Sequence, residues 1–112
     1  MIDELIKLSK IFKDGFTIEL KDSKIQQYAR TDKPYIVSYL TLIEIRKDKI
    51  LYNNVQHIPS NCVISGWLDK DNNTYYIELN KVFKLKSKAL LYAKKYNQKA
   101  IYNLKTGNVI TV

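Results

Sequence analysis

At 112 residues the chain has the length of one ordinary domain of roughly 100–150 residues, enough to bury a core without disulfide or metal staples. With 46% hydrophobic and 27% charged residues, three Gly and two Pro, the composition excludes a disordered or low-complexity chain. The single Cys62 excludes an internal disulfide, and no apolar run approaches the ~20 residues of a membrane helix, so the formal charge of +8 belongs to a soluble, single-domain protein.

Residues 2–13, "IDELIKLSKIFK", predict an amphipathic helix. Ile2, Leu5, Ile6 and Phe12 supply its apolar side, acids open it, and Lys10 and Lys13 suit the negative end of its dipole. The same acids, and the lack of a long apolar core, are unlike a signal peptide, so the cytoplasm is the expected compartment. Asp14-Gly15 closes the helix, with Gly15 available for a left-handed cap. "FTIEL", 16–20, alternates and predicts a strand with Phe16, Ile18 and Leu20 on one face.

"KIQQYAR", 24–30, predicts a second strand, and Thr31-Asp32-Lys33-Pro34 a turn. "YIVSYLTLIEI", 35–45, is rich in β-branched and aromatic residues and predicts a long strand covered on both faces. Residues 46–58 fit either a short helix or an irregular crossing. Strands follow around 62–68 and 74–79, joined by an Asp/Asn turn at 69–73 whose side chains can bond their own backbone. A helix is expected over 87–97. The last stretch, "AIYNLKTGNVITV", predicts two short strands about a turn at 105–108, with Gly107 supplying the positive φ. The fold class is therefore α+β, a mostly antiparallel sheet with an N-terminal helix and a basic helix before a C-terminal hairpin.

Charge is distributed unevenly. Residues 1–78 hold all eleven acids and eleven of the nineteen Lys and Arg, which cancel. The last 34 residues hold eight lysines and no acid. On a helix at ~100° per residue, Lys88 and Lys95 point the same way, and Lys84 and Lys99 join them if the helical direction continues through both ends. Leu85, Ala89, Ala93, Tyr96 and Ala100 fall on another face, the expected buried stripe, where Ala89 and Ala93 would let the helix lie close to a sheet. Lysines can serve solvation alone. Here they lack the i,i+4 glutamates that accompany a merely soluble face, so Lys84, Lys88, Lys95 and Lys99 are the candidate polyanion or nucleic-acid contacts. That set lacks arginine, the commonest reader of guanine, and so points to backbone attraction rather than base readout.

Parity divides the hairpin aromatics. Tyr75, Ile77 and Leu79 share a core face, while Thr74, Tyr76 and Glu78 share a wetter one. Val63, Ser65 and Trp67 alternate against Cys62, Ile64, Gly66 and Leu68, so Trp67 and Tyr76 form a candidate cross-strand pair. Such a pair usually caps a sheet beneath another element; left open, it is a candidate protein-binding patch.

Catalytic signals are weak. His57 and Cys62 are five apart with nothing to orient them, and Cys62 opens an apolar strand, where free cysteine behaves as a small hydrophobe. Two Cys and His in total are too few for structural zinc. "DKDNN" matches a calcium loop only at its start: Thr74 stands at position six and Asn80 at position twelve. Glu78 has the chemistry of a general base but no histidine placed beside it. Neither an enzyme nor a cofactor or metal site is expected.

The order I-x-G-W, polar turn, Y-Y, an A-x-x-x-A helix and then Q-x-A-I-Y-x-L resembles short uncharacterised proteins of phages and mobile elements. The residues concerned are Ile64, Gly66, Trp67, Tyr75, Tyr76, Ala89, Ala93, Gln98, Ala100, Ile101, Tyr102 and Leu104. "DGFTIEL", Asp14 to Leu20, resembles the opening of the same group. Ser65 and Ile77 depart from its pattern, which carries a second glycine and an acid there. The resemblance implies a genomic setting and no catalytic residue. The resulting expectation is a small accessory protein in the host cytoplasm, without membrane contact. It would bind nucleic acid or a nucleoprotein through the lysine face, or act on a host protein as an inhibitor of a defence system, or be a minor virion component.

Overall fold

A computed structural model describes residues 1–112. The elements are α1 (Ile2–Ile11), β1 (Gly15–Lys21), β2 (Lys24–Gln27), β3 (Tyr35–Arg46), β4 (Lys49–Tyr52), a 3-10 turn (Val55–His57), β5 (Cys62–Asp69), β6 (Thr74–Phe83), α2 (Lys86–Lys95), β7 (Ala100–Asn103) and β8 (Asn108–Thr111). The strands form one antiparallel sheet in the order β2-β1-β5-β6-β3-β7-β8, with β4 paired to β3 off that path. The expected α+β class, with a helix at the N-terminus and another before the C-terminal strands, is the observed one. Neither helix is long and apolar enough to cross a membrane.

The residues group into two compact units. One comprises Met1–Tyr28 and Leu40–Leu79, the other Ala29–Tyr39 and Asn80–Val112.

In the first unit, α1 ends earlier than expected. Phe12 leaves the helix at φ −104° and is exposed rather than on the apolar side. The buried stripe of α1 is Leu5 and Ser9, four apart, and the Ser9 hydroxyl donates to the Ile6 carbonyl at 2.6 Å. Gly15 does not cap the helix: it opens β1, and a side-chain carbon there would lie 2.6 Å from the Gly66 carbonyl oxygen of the neighbouring strand. β1 and β2 are joined by Asp22 and Ser23, both left-handed, the pattern of the tight hairpin turn whose twist matches the strands. β2 itself stops at Gln27, short of the expected 30.

β1 then pairs along β5 from Gly15 opposite Trp67 to Leu20 opposite Cys62. Alternation aims Ile18, Leu20, Ile64, Tyr75, Ile77 and Leu79 inward, all buried as expected. Each such side chain contributes roughly 1.5–3 kcal/mol by leaving water. Leu42 and Ile43, adjacent in β3 and both fully buried, show that this part of β3 is covered on both faces. Residues 46–58, which fitted a helix or an irregular crossing, form neither alone. A two-residue turn at Lys47-Asp48 returns the chain as β4, with Arg46 opposite Lys49, and the 3-10 turn follows.

In the second unit, Ala89 and Ala93 of α2 are fully buried against Val37 and Ile101, with Tyr35, Phe83, Leu90, Tyr92 and Ile110 around them. Their small side chains allow the close approach that their spacing suggested. The β7–β8 hairpin turns as expected, with Gly107 at φ +76° and Asn103 Oδ1 accepting from the Lys105 and Thr106 amides.

Candidate functional site

The second unit gathers the charge. It contains ten Lys and Arg (Arg30, Lys33 and the eight lysines after residue 80) against the single acid Asp32, a formal +9. The first unit holds nine Lys and Arg against ten acids, a formal −1. The division already present along the sequence is thus kept in the fold, with Arg30, Asp32 and Lys33 added to the lysines of the last third.

Lys88 and Lys95 lie seven apart on α2, within ~20° of each other, and both are exposed. Lys84 and Lys99 are exposed too, but Lys84 precedes the helix and Lys99 follows its last turn, so they flank the face rather than extend it. None of the four forms an ion pair. Lys95 Nζ lies 5.6 Å from the centroid of the Tyr96 ring.

The expected buried stripe of α2 is narrower than predicted. Leu85 is the extended N-cap, at φ −105° and ψ 132°, and Tyr96 is the residue at which the helix ends. With helical direction lost at both, the two side chains are exposed instead of buried. Tyr96 packs on Tyr92, ring centroids 4.5 Å apart, and the Tyr92 phenol is pushed up by its burial and then by Tyr96 and Tyr39 nearby. Lys94 and Lys95 suit the helix dipole in the last turn. Lys86 and Lys88 stand in the first turn, where the dipole disfavours cations and no side chain caps the exposed amides. Helix stability thus explains only half of these lysines.

The first unit holds the aromatic pair. Trp67 on β5 and Tyr76 on β6 stack with centroids 5.2 Å apart and planes 25° from parallel, and Trp67 remains 43% exposed. Trp67 Nε1 donates to Glu78 Oε1 at 2.8 Å, and Thr41 Oγ1 donates to Glu78 Oε2 at 3.0 Å. The carboxylate therefore fixes the indole and is held in turn by β3. The face carrying the pair is not uniformly wet, as alternation suggested. Val63 and Ser65 are buried, and so is Thr74 at 1% exposure, its hydroxyl donating to the Asn72 carbonyl at 3.2 Å. That face opens only at Trp67, toward the β5–β6 turn.

Beside this turn lies a cleft of about 450 Å³ lined by Arg46, Lys47, Asp48, Lys49, Asn72 and Asn73. Sequence reasoning missed these cations, because residues 46–58 had no assigned conformation. The legible signal was "RKDKILY", a polar dipeptide between a β-branched run and Ile50-Leu51-Tyr52.

The remaining candidates form no hydrogen bond with one another. His57 is exposed on the 3-10 turn, whereas Cys62 Sγ donates to the Pro59 carbonyl at 3.5 Å and burial pushes its thiol up, away from nucleophilic form. Glu78 is occupied by Trp67 and Thr41 rather than by a histidine. Comparison with protein-family models, with curated proteins and with solved structures finds no match for this chain.

Proposed function

We propose that the protein is a small, non-enzymatic accessory protein of a phage or mobile element that binds nucleic acid, or a nucleoprotein, through its basic unit. The observation that carries this reading is the charge division between the units, +9 against −1, with Lys84, Lys86, Lys88, Lys94, Lys95 and Lys99 exposed and outside ion pairs. Such a surface gains free energy by displacing counterions condensed on a phosphate backbone. Filter binding of duplex and single-stranded DNA and RNA at two salt concentrations tests it. Affinity should fall steeply with salt, and Lys88→Gln with Lys95→Gln should lower the logarithmic salt slope by about two units. No binding at low salt, or binding indifferent to salt, overturns the reading.

A second reading, action on a host protein, draws on β4. Every residue of Lys49–Tyr52 is exposed, Ile50, Leu51 and Tyr52 are apolar, and the strand pairs only with β3. Natural edge strands usually blunt such an edge with charge, proline or a covering loop. A partner that survives nuclease digestion, yet is lost on Leu51→Lys, would favour this reading over the first.

A further inference from the structure

We propose that the cleft between the β3–β4 and β5–β6 turns is a phosphate subsite with Trp67 as its stacking platform, so that the first unit takes one unpaired nucleotide. The inference uses no residue of α2 and stands or falls separately from the basic unit.

Charge comes first. The cleft collects Arg46, Lys47 and Lys49 against Asp48, in a unit whose overall charge is −1. Arg46 Nη2 holds Glu44 Oε1 at 3.0 Å, but a guanidinium has five N–H donors and this side chain is largely exposed. Lys47 and Lys49 are exposed and outside any ion pair. Asn73 adds an exposed amide at the rim. The cleft, about 450 Å³, is open to solvent and lined by polar and charged residues alone, a setting for a phosphate rather than for an apolar ligand.

Lys47 also breaks a local rule. It sits at φ +49° in a two-residue turn, whereas the other non-glycine left-handed positions are the short side chains Asp22, Ser23, Asn54, Asn73 and Asn97. Asparagine or glycine would relax the turn, so the cation stands at the cleft at some local backbone cost.

The aromatic component is contiguous with the charge. Asn72 lines the cleft and donates through Nδ2 to the Tyr76 hydroxyl at 3.2 Å, and Tyr76 stacks on Trp67. With Tyr76 against it and its N–H committed to Glu78, Trp67 offers a ligand π surface rather than a donor. Cations in a cleft joined through Asn72 and Tyr76 to a fixed, open aromatic ring match a ligand that is phosphate at one end and planar base at the other. An acidic peptide would leave the ring unused. The ligand class is therefore a nucleotide, free or as an unpaired position in a strand.

Trp67 is the only tryptophan, so its emission reports the site directly. The experiment titrates the full chain with adenosine monophosphate, a short oligo-dT, a blunt duplex and inorganic phosphate. Mononucleotide or oligo-dT should quench Trp67, with inorganic phosphate competing but not quenching. Equal strength for the first two assigns a free nucleotide, and at least tenfold tighter oligo-dT binding assigns a strand. Lys47→Gln with Lys49→Gln should abolish quenching, while Lys88→Gln with Lys95→Gln should leave quenching by adenosine monophosphate as it is. Trp67→Ala should weaken oligo-dT binding between about fivefold and a hundredfold, the measure of one stacked base. Absence of quenching by both adenosine monophosphate and oligo-dT, stronger quenching by duplex, or quenching unchanged in the Lys47/Lys49 variant overturns the proposal.

Discussion

Trp67 and Glu78 are tied across the β5–β6 hairpin by a 2.8 Å hydrogen bond, and the same carboxylate accepts from Thr41 on β3. Removing the acceptor should therefore cost more than removing one donor. Trp67→Phe keeps an aromatic stack on Tyr76 and should lower stability by about 1 kcal/mol, reduced from the full value of a charged hydrogen bond because Trp67 is partly in water. Glu78→Ala strands two donors and should cost about 2 kcal/mol. Urea unfolding of both variants and of the double variant gives the coupling. Strict additivity would contradict a shared network.

Gly66 is needed for proximity. A side-chain carbon there would lie 2.3 Å and 2.8 Å from ring carbons of Phe16 and 2.8 Å from one of Tyr75. Phe16 is the cross-strand partner of Gly66, and its ring lies 6.4 Å from that of Tyr75. The two rings thus occupy the space that a side chain would take. Gly66→Ala should cost about 1–3 kcal/mol, the usual range for overpacking. Adding Phe16→Leu should recover part of that loss in thermal unfolding, and no recovery would place the strain elsewhere.

What was legible in the sequence follows from periodicity. Alternation placed Tyr75, Ile77 and Leu79 in the core and paired Trp67 with Tyr76, because side-chain parity along a hairpin survives folding. Ala89 and Ala93 announced a closely packed helix face by their spacing. Parity does not say what covers a face, so burial of Val63, Ser65 and Thr74 was not readable. Helical projection fails where the helix ends, which misplaced Leu85 and Tyr96. The cleft escaped because it joins turns far apart in sequence, Lys47-Asp48 and Asn72-Asn73. Arg30 and Lys33 likewise join the basic unit only through topology.

Tyr75 predicts a pH dependence. Its hydroxyl donates to the Phe12 carbonyl at 2.7 Å, and burial, with the Asp14 charge second, pushes its pKa up to about 12 from the ordinary 10. The folded state therefore favours the neutral phenol. This contribution is complete below pH 10 and falls as pH rises toward 12, because over that window the unfolded chain releases the proton first. Stability measured by urea unfolding from about pH 9, below the ordinary phenol value, to about pH 12 should fall less steeply in Tyr75→Phe than in the parent. Tyr76→Phe serves as the control, and equal slopes for the parent and Tyr75→Phe would reject the assignment.

Ala93 offers a test of how α2 is seated. Its side chain is fully buried with Ala89, Val37 and Ile101 in the core of the second unit. A larger residue must move the helix or distort its neighbours, since packed interiors hold few voids. Ala93→Leu should cost about 1–3 kcal/mol although leucine is a good helix former and more apolar. Leu91→Ala, on the exposed side of the same helix, should change stability by less than about 0.5 kcal/mol. The pair separates helix propensity from packing. If Ala93→Leu were neutral or stabilising in thermal unfolding, α2 would not be held by the close contact that its alanines make, and the lysines of its outer face would lack the fixed presentation on which the proposed salt-dependent nucleic-acid binding relies.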